Sequence, residues 1–198
     1  MTIWFATENK RKKTELAAIL PDHTIAIPRD AGMVDFNPQE NGKDFLENAL
    51  IKARELYSLT GPPVMADDSG LCIDALGGRP GIYSARYGAE GGAKLTDPER
   101  NALILQELGD NPQRNARFVC ALVLFLEENR FYAVQETLEG EIIREERGNR
   151  GFGYDPILFL PGLGCTVAEL SETQKNRISH RGKAGKAIGR ILAQLNLS

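Results

Sequence analysis

Asp67 and Asp68 stand side by side in Asp67-Asp68-Ser69-Gly70, between the apolar runs Val64-Met65-Ala66 and Leu71-Cys72-Ile73. Adjacent carboxylates suit proton transfer or a hard cation, and Mg²⁺ takes one or two of them while water and substrate phosphates fill its other positions. An Asp-rich turn where one strand gives way to the next, with side chains bonded to their own backbone, accounts for the same residues without a ligand. Cations elsewhere supply the complementary chemistry. Thr7-Glu8-Asn9-Lys10-Arg11-Lys12-Lys13 places four successive cations at the start of an expected helix, where the helix dipole is already positive and like charge is unfavourable unless an anion is present. A phosphate bound there would reverse that cost, with free helix amides as further donors beside Thr7 and Asn9. A solvated charge run is the alternative. The segment is not a Walker loop, because it lacks the glycines and the Gly-Lys-Ser/Thr ending.

Three further groups could share that chemistry. Asn48 and Lys52 lie one turn apart on an expected helix over residues 43–59, beside an inner stripe of Phe45, Ala49, Ala53 and Leu56, so both can point into a cleft. In Gly148-Asn149-Arg150-Gly151-Phe152-Gly153-Tyr154-Asp155-Pro156, the glycines let backbone approach a flat ligand and the two rings could stack on a base. An ordinary glycine turn explains Gly151 and Gly153 equally well. Ser171 to Gln174 reads as a capping box that puts Lys175 early in a short helix. Ser179-His180-Arg181-Gly182 opens the final helix, where Arg181 awaits an anion or a carbonyl. There is no Ser/His/Asp pattern and no histidine pair at metal-ligand spacing.

The elements that must hold these groups follow from periodicity and punctuation. A strand is expected over residues 2–6, a helix over 12–20, a short strand over 23–27, and a loop carrying Glu40 over 28–41. Thr96-Asp97-Pro98-Glu99 is a capping box opening a helix that Gly109 closes. Residues 116–126 and 131–138 form an expected hairpin around Glu128-Asn129-Arg130; its first strand is apolar almost throughout, which places it at the centre of a sheet covered on both faces. The buried side of the last helix is Ala184, Ile188, Ile191, Leu192 and Leu195.

The 198 residues, 42% of them hydrophobic, suffice for a single α/β domain over residues 1–198 with its own core. The longest apolar stretch, Phe118 to Leu126, is too short to cross a bilayer as a helix, and residues 1–6 lack the regions of a secretion signal, so a cytoplasmic protein without membrane attachment is expected. Three scattered cysteines, Cys72, Cys120 and Cys165, read as thiols instead of a disulfide or zinc set. A formal net charge of -3 argues against stable nucleic-acid binding but leaves room for a small polyanion at the basic clusters.

Taken in order, Thr7 to Lys12, Phe45-Leu46-Glu47-Asn48-Ala49 with Lys52-Ala53, Ala66 to Gly70, Pro80-Gly81-Ile82-Tyr83-Ser84-Ala85-Arg86, Phe152-Gly153-Tyr154-Asp155-Pro156 and Ser179 to Gly182 resemble the non-canonical purine nucleoside triphosphate pyrophosphatases, or inosine triphosphatases. The resemblance spans nearly the whole chain. It implies an α/β fold with a long curved mixed β-sheet and helices, two lobes flanking a central nucleotide-binding cleft, and a homodimer. The implied reaction is Mg²⁺-dependent hydrolysis of ITP, XTP and their deoxy forms to the monophosphate and pyrophosphate.

By the same resemblance Asp68 is the general base and a metal ligand, Glu40 is the second metal-linked carboxylate, and Ser69 contacts substrate. Thr7, Glu8, Asn9, Lys10, Arg11 and Lys12, with Lys52 and Lys175, would grip the triphosphate. Base selection would fall to Phe152, Gly153, Tyr154 and Asp155 with His180 and Arg181, which can donate to a 6-oxo group where adenine presents an amino group. The first motif departs from the family pattern, which commonly has glycine near Glu8 and Arg11. Glu8 beside phosphate oxygens would be repulsive unless it turns away or joins the metal shell.

Overall fold

Short apolar strands alternate with amphipathic helices, and the result is an open, mixed seven-stranded sheet with helices, seen here in a computed structural model that describes residues 1–89 and 93–195. The strands are β1 (Thr2–Phe5), β2 (Thr24–Ala26), β3 (Val64–Ile73), β4 (Asn115–Glu127), β5 (Arg130–Ile142), β6 (Leu158–Leu160) and β7 (Cys165–Thr166). Their order is β2-β1-β3-β4-β5-β6-β7. Strand β1 pairs in parallel with both β2 and β3, whereas β6 pairs antiparallel with β5 and β7. The expected hairpin is β4 and β5, and β4 is the central strand, buried without interruption from Phe118 to Phe125.

The helices are α1 (Lys10–Ile19), α2 (Phe45–Thr60), α3 (Asp97–Leu108), α4 (Glu172–Ile178) and α5 (His180–Gln194). Their ends follow the sequence signals. Asp44 caps α2 by accepting from the Glu47 amide, Thr96 and Glu99 close a reciprocal capping box on α3, and Ser179 caps α5 through the Gly182 amide.

The chain forms two compact units. The first comprises Met1–Asp68, Cys120–Glu136 and the segment from Ser179 onward; the second comprises Ser69–Val119 and Thr137–Ile178. In the first unit, α1 and α5 cover one face of the sheet, where Leu16, Leu20, Ala184, Ile188 and Leu192 pack with Ile3, Phe5, Met65, Cys120, Leu122 and Leu124. Helix α2 covers the other face, with Ala49, Ala53 and Leu56 against Val64, Ala66, Val123 and Phe125. The approach of α5 to α1 depends on Gly185, because a Cβ there would lie 2.9 Å from Ile19 Cγ2 and 3.3 Å from Leu16 Cδ1. In the second unit Ile104 and Leu108 of α3 pack with Leu71, Ile73, Phe118, Leu138, Leu158 and Leu160.

One expectation about the site's framework is overturned. Asp67-Asp68-Ser69-Gly70 is no turn between two strands; it lies in the interior of the single strand β3. Polar residues at these positions read as a turn because their partners are distant in sequence. Each carboxylate has a cation waiting on its own face of the sheet, so the strand runs through them.

Candidate active site

Successive side chains of a strand point to opposite faces, and β3 therefore sends its two carboxylates in opposite directions. Asp67 shares the parity of Met65 and faces α1 and α5, while Asp68 shares that of Val64 and Ala66 and faces α2. Asp68 Oδ1 accepts from Lys52 Nζ at 3.2 Å and Oδ2 from Asn48 Nδ2 at 3.2 Å. The same Lys52 ammonium donates to Glu40 Oε1 at 2.8 Å. Two carboxylates thus converge on one ammonium, and Asn48 and Lys52, one turn apart on α2, both face the sheet as their spacing implied.

Charge and burial tune this trio. Burial pushes the Asp68 carboxyl above the usual carboxylate range; Lys52 and Lys12 oppose the rise, and Glu40 and Asp67 add to it. Burial alone would lower the Lys52 ammonium, but Asp68, Asp67 and Glu40 together raise it, so it stays protonated. A carboxyl raised in this way can hold a proton from an attacking water more readily than an ordinary one.

The donor set also tests the fit of a divalent cation. Glu40 and Asp68 are hard oxygen ligands, and among the described residues no group of three or more His, Cys, Asp or Glu could hold a metal by itself. Two carboxylates fit a Mg²⁺ that takes its remaining ligands from substrate phosphates and water, and do not fit an all-protein cage.

On the opposite face Asp67 is saturated. Its Oδ1 accepts from Lys12 Nζ at 3.0 Å, and its Oδ2 accepts from Arg181 Nε at 3.2 Å and Nη2 at 2.9 Å. Arg181 continues the chain through Nη1 to Glu15. Burial would raise the Asp67 carboxyl, yet Lys12, Arg181 and Lys52 drive it far below the usual range. The anion that Arg181 awaited at the start of α5 is therefore Asp67, and the residue is only 2% exposed. Its neighbour His180 is also buried. The resemblance gives a role to Asp68 and none to Asp67, and residue type and spacing do not separate the two; strand parity does.

The phosphate-type loop before α1 is organised differently from expectation. Asn9 caps the helix, its Oδ1 accepting from the Arg11 amide at 2.9 Å and the Lys12 amide at 3.4 Å, so these two amides are not free for an anion. Thr7 Oγ1 accepts from the Asn9 amide. Glu8 turns to Arg29, whose Nε lies 3.1 Å from Glu8 Oε2, which relieves the repulsion foreseen beside phosphate oxygens. Lys10, Arg11 and Lys12 begin α1, and the Lys12 side chain reaches down to Asp67. Ser69 follows Asp68 on β3 and is half-buried.

The second unit carries its own cluster. Asp155 Oδ2 accepts from Lys175 Nζ at 2.7 Å and from the Phe152 amide at 2.9 Å, and the Lys175 ammonium sits 4.5 Å from the centre of the Phe152 ring. Lys175 is held early in α4 by the Ser171–Gln174 capping box anticipated from sequence. The tight turn requires Gly151: its φ is +75°, and a Cβ there would lie 2.0 Å from Asp155 Oδ2. Tyr154 is buried, with its hydroxyl donating to the Ser84 carbonyl at 2.9 Å.

A family model described as the Ham1 family matches residues 3–190, a stretch that runs through both units. The chain belongs to the Ham1 family. Among its Ham1 relatives, a dITP/XTP pyrophosphatase of Treponema denticola is 50% identical over 192 residues, covering 97% of this chain and 98% of that protein. The dITP/XTP pyrophosphatase of Shigella flexneri is 45% identical over 187 residues, covering 92% of this chain and 93% of the relative. The solved HAM1 protein of Coxiella burnetii superposes with a TM-score of 0.88 at 39% identity, covering 98% of this chain and 99% of its own.

Proposed function

We propose that the protein hydrolyses non-canonical purine nucleoside triphosphates, ITP, XTP and their deoxy forms, to the nucleoside monophosphate and pyrophosphate, and so removes them from the nucleotide pool. The convergence of Glu40 and Asp68 on Lys52 carries this reading, and the names of the Ham1 relatives supply its substrate class. Phosphate binding alone gains nothing from buried carboxylates, whereas hydrolysis needs a base and an anchor for a divalent cation.

In this reading Glu40 and Asp68 would hold Mg²⁺. When bound, Mg²⁺ draws charge from the phosphate oxygens and lowers the cost of gathering negative charge there. Asp68 accepts a proton from a water molecule as that water attacks the α-phosphorus. The bond from the α-phosphorus to the bridging oxygen breaks, and that oxygen leaves with pyrophosphate. Lys10, Lys12 and Lys52 offset the charge of the departing group. Lys12 is held by Asp67 at the start of α1, and Lys52 is held by two carboxylates, so both ammonium groups are fixed before substrate arrives. Ser69, with Thr7 and Asn9, is assigned to substrate contact.

Base selection is assigned to the Phe152–Asp155 loop; Arg181, engaged by Asp67 and Glu15, is assigned instead to holding Asp67 in place. A donor facing the adenine amino group is left unsatisfied, which costs about 1–3 kcal/mol for each buried group. Assembly as a homodimer is proposed on the resemblance alone; no described helix is long and apolar enough to cross a membrane.

The test is a panel of ITP, dITP, XTP, GTP and ATP with separate detection of pyrophosphate and orthophosphate, run with Mg²⁺ and with a chelator. Pyrophosphate released from ITP, dITP and XTP but scarcely from ATP, and abolished by the chelator, is the expected result. Orthophosphate as first product, or equal rates on all five nucleotides, overturns it.

A further inference from the structure

Helix α3 of the second unit contains a polar residue where its packing calls for an apolar one. Asn101 lies on the face of α3 that also carries Ile104 and Leu108, and it is 1% exposed. Its Oδ1 is buried without a hydrogen-bond partner, a cost that an apolar side chain at the same position would avoid. The amide nitrogen accounts for its presence. Asn101 Nδ2 donates to the Gly153 carbonyl at 3.2 Å and to Glu146 Oε1 at 2.6 Å.

One turn earlier on the same helix, Asp97 Oδ2 accepts from the Gly153 amide at 2.8 Å. Both sides of one loop residue are thus gripped by a single rigid helix. The residues on either side of Gly153 are anchored as well, Phe152 through its amide to Asp155 and Tyr154 through its hydroxyl to Ser84. The Phe152 ring is the face over which the Lys175 ammonium lies. A site that selects by leaving the wrong ligand's polar groups unsatisfied works only if its own groups cannot move to compensate, within roughly 0.5 Å.

We infer that Asp97 and Asn101 are positioning residues for base selection: they fix the Gly153 peptide, and with it the Phe152–Asp155 loop, so that the loop cannot relax around an adenine. The inference rests on the assignment of that loop to the base. Neither residue is part of the phosphate or proton-transfer machinery, so their removal alters which base is accepted more than how fast an accepted one is cleaved.

The experiment compares kcat/KM for ITP and ATP in the wild type, Asn101→Ala, Asp97→Ala and Asp97→Asn, with melting curves of each. The ITP/ATP ratio is expected to fall about tenfold in Asn101→Ala and Asp97→Ala, the size of one lost contact in the discriminating geometry. At saturating ITP, kcat should stay within about threefold of wild type, as expected when a contact away from the reacting atoms is lost. Asp97→Asn keeps an acceptor for the Gly153 amide and should retain the wild-type ratio. A folded Asn101→Ala or Asp97→Ala whose ratio is unchanged overturns the inference, as do equal losses on both nucleotides; if Asn101→Ala does not fold, Asp97→Ala decides. A wild type with no preference for ITP over ATP overturns the assignment of the loop itself, a result distinct from selective wild type with unaltered variants.

Discussion

Asp67 and Asp68 are the same residue type, adjacent in one strand, both buried, and yet they are set up for opposite work. Asp67 faces α1 and α5, accepts from Lys12 and twice from Arg181, and is held ionised far below the usual range. Asp68 faces α2, shares the single Lys52 ammonium with Glu40, and is pushed above that range. The contrast comes from how many cations each face of the sheet supplies. A carboxylate with two cations becomes a fixed anion that orients them, and a carboxylate sharing one cation with a second carboxylate remains able to take a proton.

The largest expected effect tests that division directly. Asp68→Asn keeps the size of the side chain but cannot accept a proton, and its amide nitrogen can no longer accept from one of the two donors, Lys52 and Asn48; turnover measured by pyrophosphate release should fall about a thousandfold, within the range of a lost general base. Near-normal turnover would take the base role away from Asp68. Asp67→Asn should act first on stability: removing one partner of a buried ion pair leaves Lys12 and Arg181 facing a neutral amide, at a cost of about 3–5 kcal/mol in denaturant unfolding. A loss below about 1 kcal/mol, the scale of an exposed pair, would show that Asp67 is no anchor.

The pH dependence of these two variants should run in opposite directions, which sharpens the comparison further. Because the folded Asp67 carboxyl is depressed, its contribution to stability is present above the ordinary carboxylate value of about 4 and is lost as pH falls toward its folded value. Because the folded Asp68 carboxyl is raised, its contribution is present below that value and is lost as pH rises through its folded one. In metal-free protein, the deficit of Asp67→Asn relative to wild type should therefore shrink on acidification below about pH 4, whereas wild type should lose stability relative to Asp68→Asn on going from pH 4 to pH 7. Melting temperatures of the three proteins across that range check both signs. Parallel curves would mean that the two faces are not electrically distinct.

The smallest effect concerns Cys120, whose Sγ lies 4.0 Å from Asp67 Oδ2. Burial, with Asp67 beside it, pushes the thiol up to about 12. In native protein it should resist alkylation at pH 8 while the half-buried Cys165 reacts, as peptide mapping would report. Alkylation of Cys120 at the rate of Cys165 would mean that the Asp67 face opens to solvent.

What could be read from the sequence was local. The inner stripe and polar border of α2, the capping boxes at Thr96 and Ser171, and the hairpin with its central buried strand all depend on residues a few positions apart, and all appear in the structure. Asn48 and Lys52 could be singled out for the same reason. The Asp67 network could not, since Arg181 is 114 positions away and Lys12 is 55. Without those partners, two aspartates followed by serine and glycine carry the composition of a turn, where the structure has an uninterrupted strand. Asn101 was invisible for a related reason: a polar residue inside a helix pattern gives no sign of the loop it holds 52 positions further on.

The uninterrupted β3 strand makes the two aspartates non-interchangeable in a geometric sense. Sliding that strand by a single position toward its start would deliver Asp68 to the cations of α1 and α5 and would present Ser69 to Lys52 and Glu40, because a one-residue slip turns every side chain over. The protein would keep an acidic residue against α5 and lose the carboxylate that shares Lys52 with Glu40. Which carboxylate meets Lys52 and Glu40 is thus a matter of registration, set by the pairing of Trp4 with Val64 and Phe5 with Met65 at the beginning of the strand, two residues before Asp67 is reached.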